Sequence, residues 1–340
     1  MNRDTFRLPK FGIGGGPIGG ITAGIDNQTA HAVLSRAWEE GIRYFDTAPW
    51  YGNTNSEHRV GAFLREKPRA DFILTSKVGR LYDRPAAGYD FEASPWRKRW
   101  PGGLPMVPRF DYTYDGIMRS FEDSLQRLGI NRLDALAIHD LDVRHHKTDE
   151  QVAFGLKQLT DGGGYRALRQ LKDAGEIRAI GVGINLSGYV GRFLERFDID
   201  YFLIAMPYTL ASQEALGEEF PLCARHGARV VVGAPFASGI LASGNTADAR
   251  FAYGPAPADI REKVARIEET CRRHGVTLAA AALQFPLAHP VVAAVVFGAD
   301  TPDQVGSNVR AMAETIPAAF WDDLKAGGLL APETPTPGHG

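Results

Sequence analysis

Apolar, β-branched runs recur along the chain, each followed by a stretch whose apolar residues return every three or four positions. The runs are IRYFDT (42–47), DFILTSKV (71–78), LDALAIHD (133–140), AIGVGIN (179–185), YFLIAM (201–206), RVVVGAPF (229–236) and VVAAVVFG (291–298), with FGIGGG near residue 11 adding one more. Helical patterns lie between them at 29–41, 114–129, 165–175 and 258–275, several closing on Gly as helix C-termini do. The runs lack polar alternation, so each predicts a strand covered on both faces, and strands separated by helices predict parallel βα units. About eight such units in 340 residues predict an α/β fold of the (β/α)8 TIM-barrel type. A doubly wound sheet is the alternative, but no linker or shift in composition divides the chain. A single barrel is therefore expected over 1–330, with the Pro- and Gly-rich end 331–340 as a flexible tail.

Two connections are long. Residues 80–113 follow the third strand, with too much Pro and Gly to predict regular structure, and residues 241–258 follow the seventh. Loops of this length in a compact domain serve as lids or binding loops, and both would leave the carboxyl-end face, where barrel active sites lie. The glycines Gly14, Gly16 and Gly19 match G-x-G-x-x-G, yet the next helix begins near 26–29, too late to offer its N-terminus to a pyrophosphate held there. A glycine-rich first strand and turn is the simpler reading.

The barrel brings polar strand ends together. Asp46 closes the second strand, Tyr51 follows it, Lys77 closes the third and His139 the fourth. Neighbouring parallel strands are about 4.8 Å apart, so these groups can meet above the barrel. Singly, each has a plain explanation as a cap, a packing ring, a paired lysine or a packed histidine. Together they specify a chemistry. A phenol titrates near 10 in water, and a neighbouring cation would lower it, a charge Lys77 could supply with Asp46 holding the lysine. His139 would hydrogen-bond a substrate oxygen. Proton transfer at oxygen coupled to hydride transfer at carbon interconverts carbonyl and alcohol, which needs a nicotinamide.

FDTAPWYG, LTSKVG, AIHD and VVFGADTPDQVGSNV resemble the aldo-keto reductase superfamily over nearly the whole chain. The resemblance implies that Asp46, Tyr51, Lys77 and His139 are the catalytic tetrad and that a nicotinamide cofactor lies across the carboxyl-end face without a Rossmann domain. Members usually carry Ser-Asn after the fifth strand, where GVGIN leaves Asn185 for the carboxamide, and a Gln in the sixth, where this chain has Ala205. By the same resemblance Phe236, Ser238, Gly239 and Leu241 would line the nicotinamide and pyrophosphate, and Gly298, Ala299, Asp300, Gln304 and Asn308 the ribose, its phosphate and adenine. Relatives that take NADP tend to place Arg or Lys where Asp300 stands; a carboxylate repels a 2′-phosphate and can accept a bond from a free ribose hydroxyl, so NAD is expected, with NADP the alternative. FDYTYDGIMRSFEDSLQRLGINRLDALAIHD, residues 110–140, resembles the branch containing L-fucose or D-threo-aldose 1-dehydrogenases and pyridoxal 4-dehydrogenase. That implies oxidation of a cyclic hemiacetal to a lactone with Tyr51 as general base. An NADP-dependent aldehyde reductase and a cofactor-sensing channel β-subunit are the other readings.

Trp50, and Tyr82, Trp96, Trp100 and Phe110 in the first long loop, are candidate stacking faces for a sugar or pyridine. The pair His145–His146 reads as solvated surface, and no metal site is expected. Charge adds an exclusion: 38 basic against 40 acidic residues leave no footprint for nucleic acid or an anionic membrane, so the expected partner is a small-molecule substrate. Two cysteines without regular spacing, and the absence of an apolar run near about 18 residues, predict a cytoplasmic protein. Nothing in the pattern speaks to oligomeric state.

Overall fold

The structure, a computed structural model, describes residues 6–21 and 24–338. The outermost residues of the N-terminal stretch and of the tail lie outside them. Eight parallel strands close into a barrel in chain order: β1 (Phe11–Gly14), β2 (Tyr44–Asp46), β3 (Ile73–Val78), β4 (Ala135–His139), β5 (Ala179–Ile184), β6 (Tyr201–Ala205), β7 (Arg229–Gly233) and β8 (Val292–Phe297), with β8 pairing back onto β1. This is the (β/α)8 architecture the apolar runs predict. The interior holds Tyr44, Ala135, Ala137, Ala179, Tyr201, Leu203, Val231, Ala294 and Val296, and the larger core lies between strands and helices.

The surrounding helices follow from their sequences. Over Tyr114–Leu128, Ile117, Phe121 and Leu128 are buried, the Thr113 hydroxyl accepts the Gly116 amide at 3.2 Å, and Gly129 ends the helix at φ 62°. Such a cap contributes about 1 kcal/mol, and glycine takes the left-handed exit without a Cβ penalty.

The first long connection corrects the expectation of irregular chain. Arg80–Asp83 pairs antiparallel with Val107–Phe110, and Pro95–Arg99 forms a short helix. Composition misled because each proline sits where it is compatible. Pro95 takes the first turn of its helix, and Pro108 stands in a two-stranded ribbon with no central ladder to break. The second connection holds a helical turn at Ile240–Ser243 and a hairpin pairing Arg250–Phe251 with Gly254–Pro255. Residues 331–338 carry no helix or strand, yet Thr334 and Thr336 there are buried, so part of this end is packed.

Candidate active site

Side-chain alternation decides what reaches the carboxyl-end cleft. Tyr44 and Asp46 share one face of β2, Thr75 and Lys77 one of β3, and Ala137 and His139 one of β4; the register sets Asp46 beside Thr75 and Lys77 beside Ala137. Asp46, Lys77 and His139 arrive at 4%, 1% and 5% exposure. Lys77 Nζ donates to Asp46 Oδ2 at 2.6 Å and to the Thr47 carbonyl at 2.9 Å. Thr75 Oγ1 donates to the other carboxylate oxygen at 2.7 Å. A carboxylate and an ammonium this buried persist only when both are so satisfied.

Tyr51 is delivered by the turn after β2, where Gly52, Asn53 and Thr54 take φ of 65°, 47° and 80°. Left-handed non-glycine residues in succession cost free energy and persist only where the surroundings impose them. The glycine turn supplies that constraint, because a Cβ on Gly19 would stand 2.6 Å from the Tyr51 carbonyl carbon. The G-x-G-x-x-G stretch therefore packs main chain against main chain beneath the phenol. From the other side the Leu104 amide donates to the Gly52 carbonyl at 3.0 Å, and the Trp100 ring lies 5.9 Å from that of Tyr51. Lys77 Nζ stands 4.7 Å from the Tyr51 ring centroid, and the His139 ring meets Tyr51 edge-on at 5.8 Å.

The phenol's acidity runs against the sequence-based expectation. Burial, then the charges of Asp46 and Asp140, push Tyr51 well above the ordinary phenol value, with Arg80 pulling the other way. Lys77 stands against the ring, but Asp46 at 2.6 Å offsets its charge, so burial and the neighbouring acids set the direction.

A second buried pair escaped the sequence reading. Arg80 Nη1 donates to Asp140 Oδ2 at 2.9 Å, with both side chains almost fully buried. The same nitrogen lies 3.4 Å from His139 Nδ1. Guanidinium donates only, so Nδ1 accepts and the neutral ring carries its proton on Nε2. Burial, with Arg80 and Lys77 adding to it, holds His139 well below its ordinary value, so the ring is neutral near pH 7. Burial would raise Asp140, but His139, His145 and Arg80 together hold its carboxyl well below the usual range. Asn185 Nδ2 donates to Asp140 Oδ1 at 2.9 Å. Tyr112, fully buried, donates to the His139 carbonyl at 3.0 Å. The only sequence signal for this network was position: Arg80 stands three residues past Lys77, and Asp140 next to His139.

The cleft encloses about 490 Å³, open to solvent, and Trp50, Tyr51, Lys77, Trp100, His139 and Asn185 are among its lining residues. The other aromatic candidates lie elsewhere. Tyr82 is buried in a small cluster with Ala48, Trp50 and Trp100, Trp96 packs edge-on against Trp50 at 6.0 Å, and Phe110 stacks on His146 at 4.0 Å. The histidine pair is not solvated: His146 is buried against Tyr112, 3.0 Å from its hydroxyl, and His145 sits in the cleft between Asp140 and Asp142. Those three residues bring oxygen and nitrogen atoms within 4.8 Å of one another, but Asp140 already accepts from Arg80 and Asn185.

Beside Tyr51 the floor is made of Gly183, Leu203 and Ala205, with Asn185 at its edge. A Cβ on Gly183 would meet the His139 ring at 3.5 Å. Glycine and alanine leave room beside the Asn185 amide, which fits a ring bearing a carboxamide. Of the other cofactor candidates, Phe236 is half-buried, Ser238 accepts the Tyr253 amide at 2.8 Å, Gly239 has φ 114°, and Leu241 is fully buried in the core. At the end of β8, Gly298 lies against Pro17, Ala299 and Asn308 are buried, and the Asp300 amide donates to Gln304 Oε1 at 2.6 Å.

A parallel barrel with a phenol, a lysine–aspartate pair and a neutral histidine converging above it defines an oxidoreductase acting on carbinol or aldehyde carbon. The chain belongs to the aldo/keto reductase family, whose model matches residues 10–327. It is 38% identical to a pyridoxal 4-dehydrogenase of Microbacterium luteolum, covering 97% of each chain. It is 36% identical to a D-threo-aldose 1-dehydrogenase of a Pseudomonas species, covering 97% of this chain and 96% of that one. An aldo-keto reductase from Bacillus halodurans in its holo form superposes with a TM-score of 0.70 at 26% identity, over 93% of this chain and 91% of its own. Such reductases use a nicotinamide cofactor and a small-molecule substrate. No helix among the described residues is long and apolar enough to cross a membrane.

Proposed function

We propose that the protein oxidises a cyclic hemiacetal to its lactone with NAD, acting on an aldose at C1 or on pyridoxal. The observation that carries this reading is the convergence of Tyr51, the Lys77–Asp46 pair and a neutral His139 at one cleft edged by Asn185 and walled by Trp50 and Trp100. The similarity to a pyridoxal 4-dehydrogenase and a D-threo-aldose 1-dehydrogenase supports the substrate class, since both substrates close into rings bearing a hemiacetal hydroxyl.

The hydride acceptor would be an oxidised nicotinamide, which would also bring a positive charge to the cleft. Tyr51, as general base, takes the proton of the hemiacetal hydroxyl, and His139 keeps its Nε2 proton while donating a hydrogen bond through it to the same oxygen. Asp46 anchors Lys77 against the face of the Tyr51 ring, where its charge stabilises the phenolate that acts as base. Asn185 would hold the carboxamide through the second N–H and lone pair that its bonds to Asp140 and Tyr253 leave free. Phe236, Ser238, Gly239 and Leu241, through side chain or main chain, and Gly298, Ala299, Gln304 and Asn308 line the path of the dinucleotide. Asp300 disfavours a 2′-phosphate and selects NAD over NADP.

The test is a turnover panel of L-fucose, L- and D-galactose, D-arabinose and pyridoxal, each with NAD and with NADP. Reduced nicotinamide and lactone appearing together, at higher kcat/KM with NAD, is the expected outcome. Higher kcat/KM with NADP removes the role of Asp300. Tight cofactor binding with negligible turnover of every compound overturns the enzyme reading in favour of a cofactor sensor.

A further inference from the structure

The charges lining the cleft do not balance. Lys77 is matched by Asp46, and Arg80 by Asp140. Two further guanidiniums reach the same cleft from different loops: Arg99, which ends the short helix of the first long connection, and Arg144, from the turn after β4. Among the described residues neither meets a carboxylate. Arg144 donates to the Ala252 carbonyl at 3.2 Å, and no hydrogen bond or ion pair engages the Arg99 guanidinium.

Both guanidiniums rest on one aromatic ring. Arg99 lies 5.2 Å and Arg144 4.8 Å from the centroid of Tyr253, a half-buried residue held at φ 67° in the second long connection. The Tyr253 hydroxyl donates to Asn185 Oδ1 at 3.3 Å, and its amide to Ser238 Oγ at 2.8 Å. The ring is thus fixed at the edge of the cleft, with a cation stacked on it from each loop. Stacking orients a guanidinium while leaving its in-plane N–H groups free, the geometry that receives an oxyanion by paired hydrogen bonds. Burial depresses the Arg99 guanidinium, and the nearby charges of Arg144 and Arg80 add to that against Tyr253 and Asp140.

We infer that Arg99 and Arg144, aligned by Tyr253, form a binding site for an anionic oxygen substituent of the substrate, a phenolate or carboxylate carried on the same molecule as the hemiacetal. This rests on the reaction proposed above and narrows it. Neutral aldoses leave the two charges unanswered. A hemiacetal bearing a phenolate, as pyridoxal does, or a carboxylate, as a uronic acid does, answers them. A cofactor phosphate offers the same chemistry, and the experiment separates the two sources.

The wild-type enzyme is compared on matched pairs: pyridoxal against its analogue lacking the 3-hydroxyl, and a galacturonic acid against galactose. Binding of the lactone product of each member, anionic and neutral, is read in parallel by quenching of tryptophan fluorescence. The expected result is at least about tenfold higher kcat/KM for the anionic member of a pair, tighter binding of the anionic lactone than of the neutral one, and loss of both preferences in Arg99→Met, Arg144→Met and the double variant. Arg→Lys at either position keeps charge but loses the fork and falls between. Equal kcat/KM within both pairs in the wild type, with turnover intact, overturns this site but leaves the reaction standing. No turnover of any hemiacetal together with arginine-dependent binding of the anionic lactone overturns the reaction but leaves the site. A rise in the KM for NAD without change in the substrate preference assigns the arginines to the cofactor and overturns the proposal.

Discussion

Two buried ion pairs flank the contact between Tyr51 and His139, and they are built from different parts of the fold. Lys77–Asp46 joins neighbouring barrel strands, with both polar ends of the pair further satisfied by Thr47 and Thr75. Arg80–Asp140 stands just beyond the strand ends. Its carboxylate is shared with Asn185 and faces His145, and Asp140 takes a left-handed φ of 52°. The first pair keeps an ammonium against the phenol. The second fixes the proton on His139 Nε2 and links Asn185 to the same side of the cleft. Charge placement is thus entrusted to strands, where the register is rigid, and tautomer control to the turns above them.

Breaking the strand pair has the larger expected effect. Lys77→Met leaves Asp46 as an uncompensated buried charge, at a cost of about 3–5 kcal/mol in chemical denaturation. It also moves the rise of oxidation rate with pH to higher pH, since Asp46 then raises Tyr51 unopposed. A profile that stays in place would show that the lysine does not act on the phenol. Asp46→Asn removes a charge that raises Tyr51 and frees a cation, so the profile moves to lower pH.

The turn pair is expected to respond less. Arg80→Met leaves Asp140 with Asn185 and His145 as partners, for a loss of about 1–3 kcal/mol. His139 then loses the donor to Nδ1 and one of the cations that depress it, so the acid limb of the variant's rate profile moves to higher pH. An unchanged acid side would remove Arg80 from tautomer control.

The smallest effect concerns stability alone. Burial lowers His146 from 6.5 to about 4 and lowers His139 well below 6.5. The unfolded chain binds these protons at higher pH than the folded one, so the contribution is fully present above about 6.5 and is lost as pH falls toward 4. Denaturation curves across that window should show His146→Gln flattening the slope, and an equal slope would contradict it.

The same contrast explains what could be read from the chain. The barrel was legible because β4, β5 and β6 are buried at every position, and unbroken apolar runs between helices have few other uses. Asp46, Lys77 and His139 were legible because strand parity and parallel register place them. Arg80 and Asp140 were not, since their meeting depends on the hairpin that returns Val107–Phe110 to Arg80–Asp83, and Pro and Gly content concealed that hairpin. The direction of the Tyr51 shift was misread because it is a balance of burial and several charges, of which only Lys77 had been weighed. Trp50 and Trp100 reach the cleft while Tyr82, Trp96 and Phe110 do not, a choice made by the loop's own small core.

The most direct measurement is the rate of reduced-nicotinamide formation by Tyr51→Phe beside the wild type, with the Kd for NAD determined for both. Loss of the general base should lower kcat by roughly 10²- to 10⁴-fold while the Kd stays within about twofold. A variant that binds NAD normally and turns over hemiacetal at the wild-type rate would contradict the assignment of proton transfer to Tyr51.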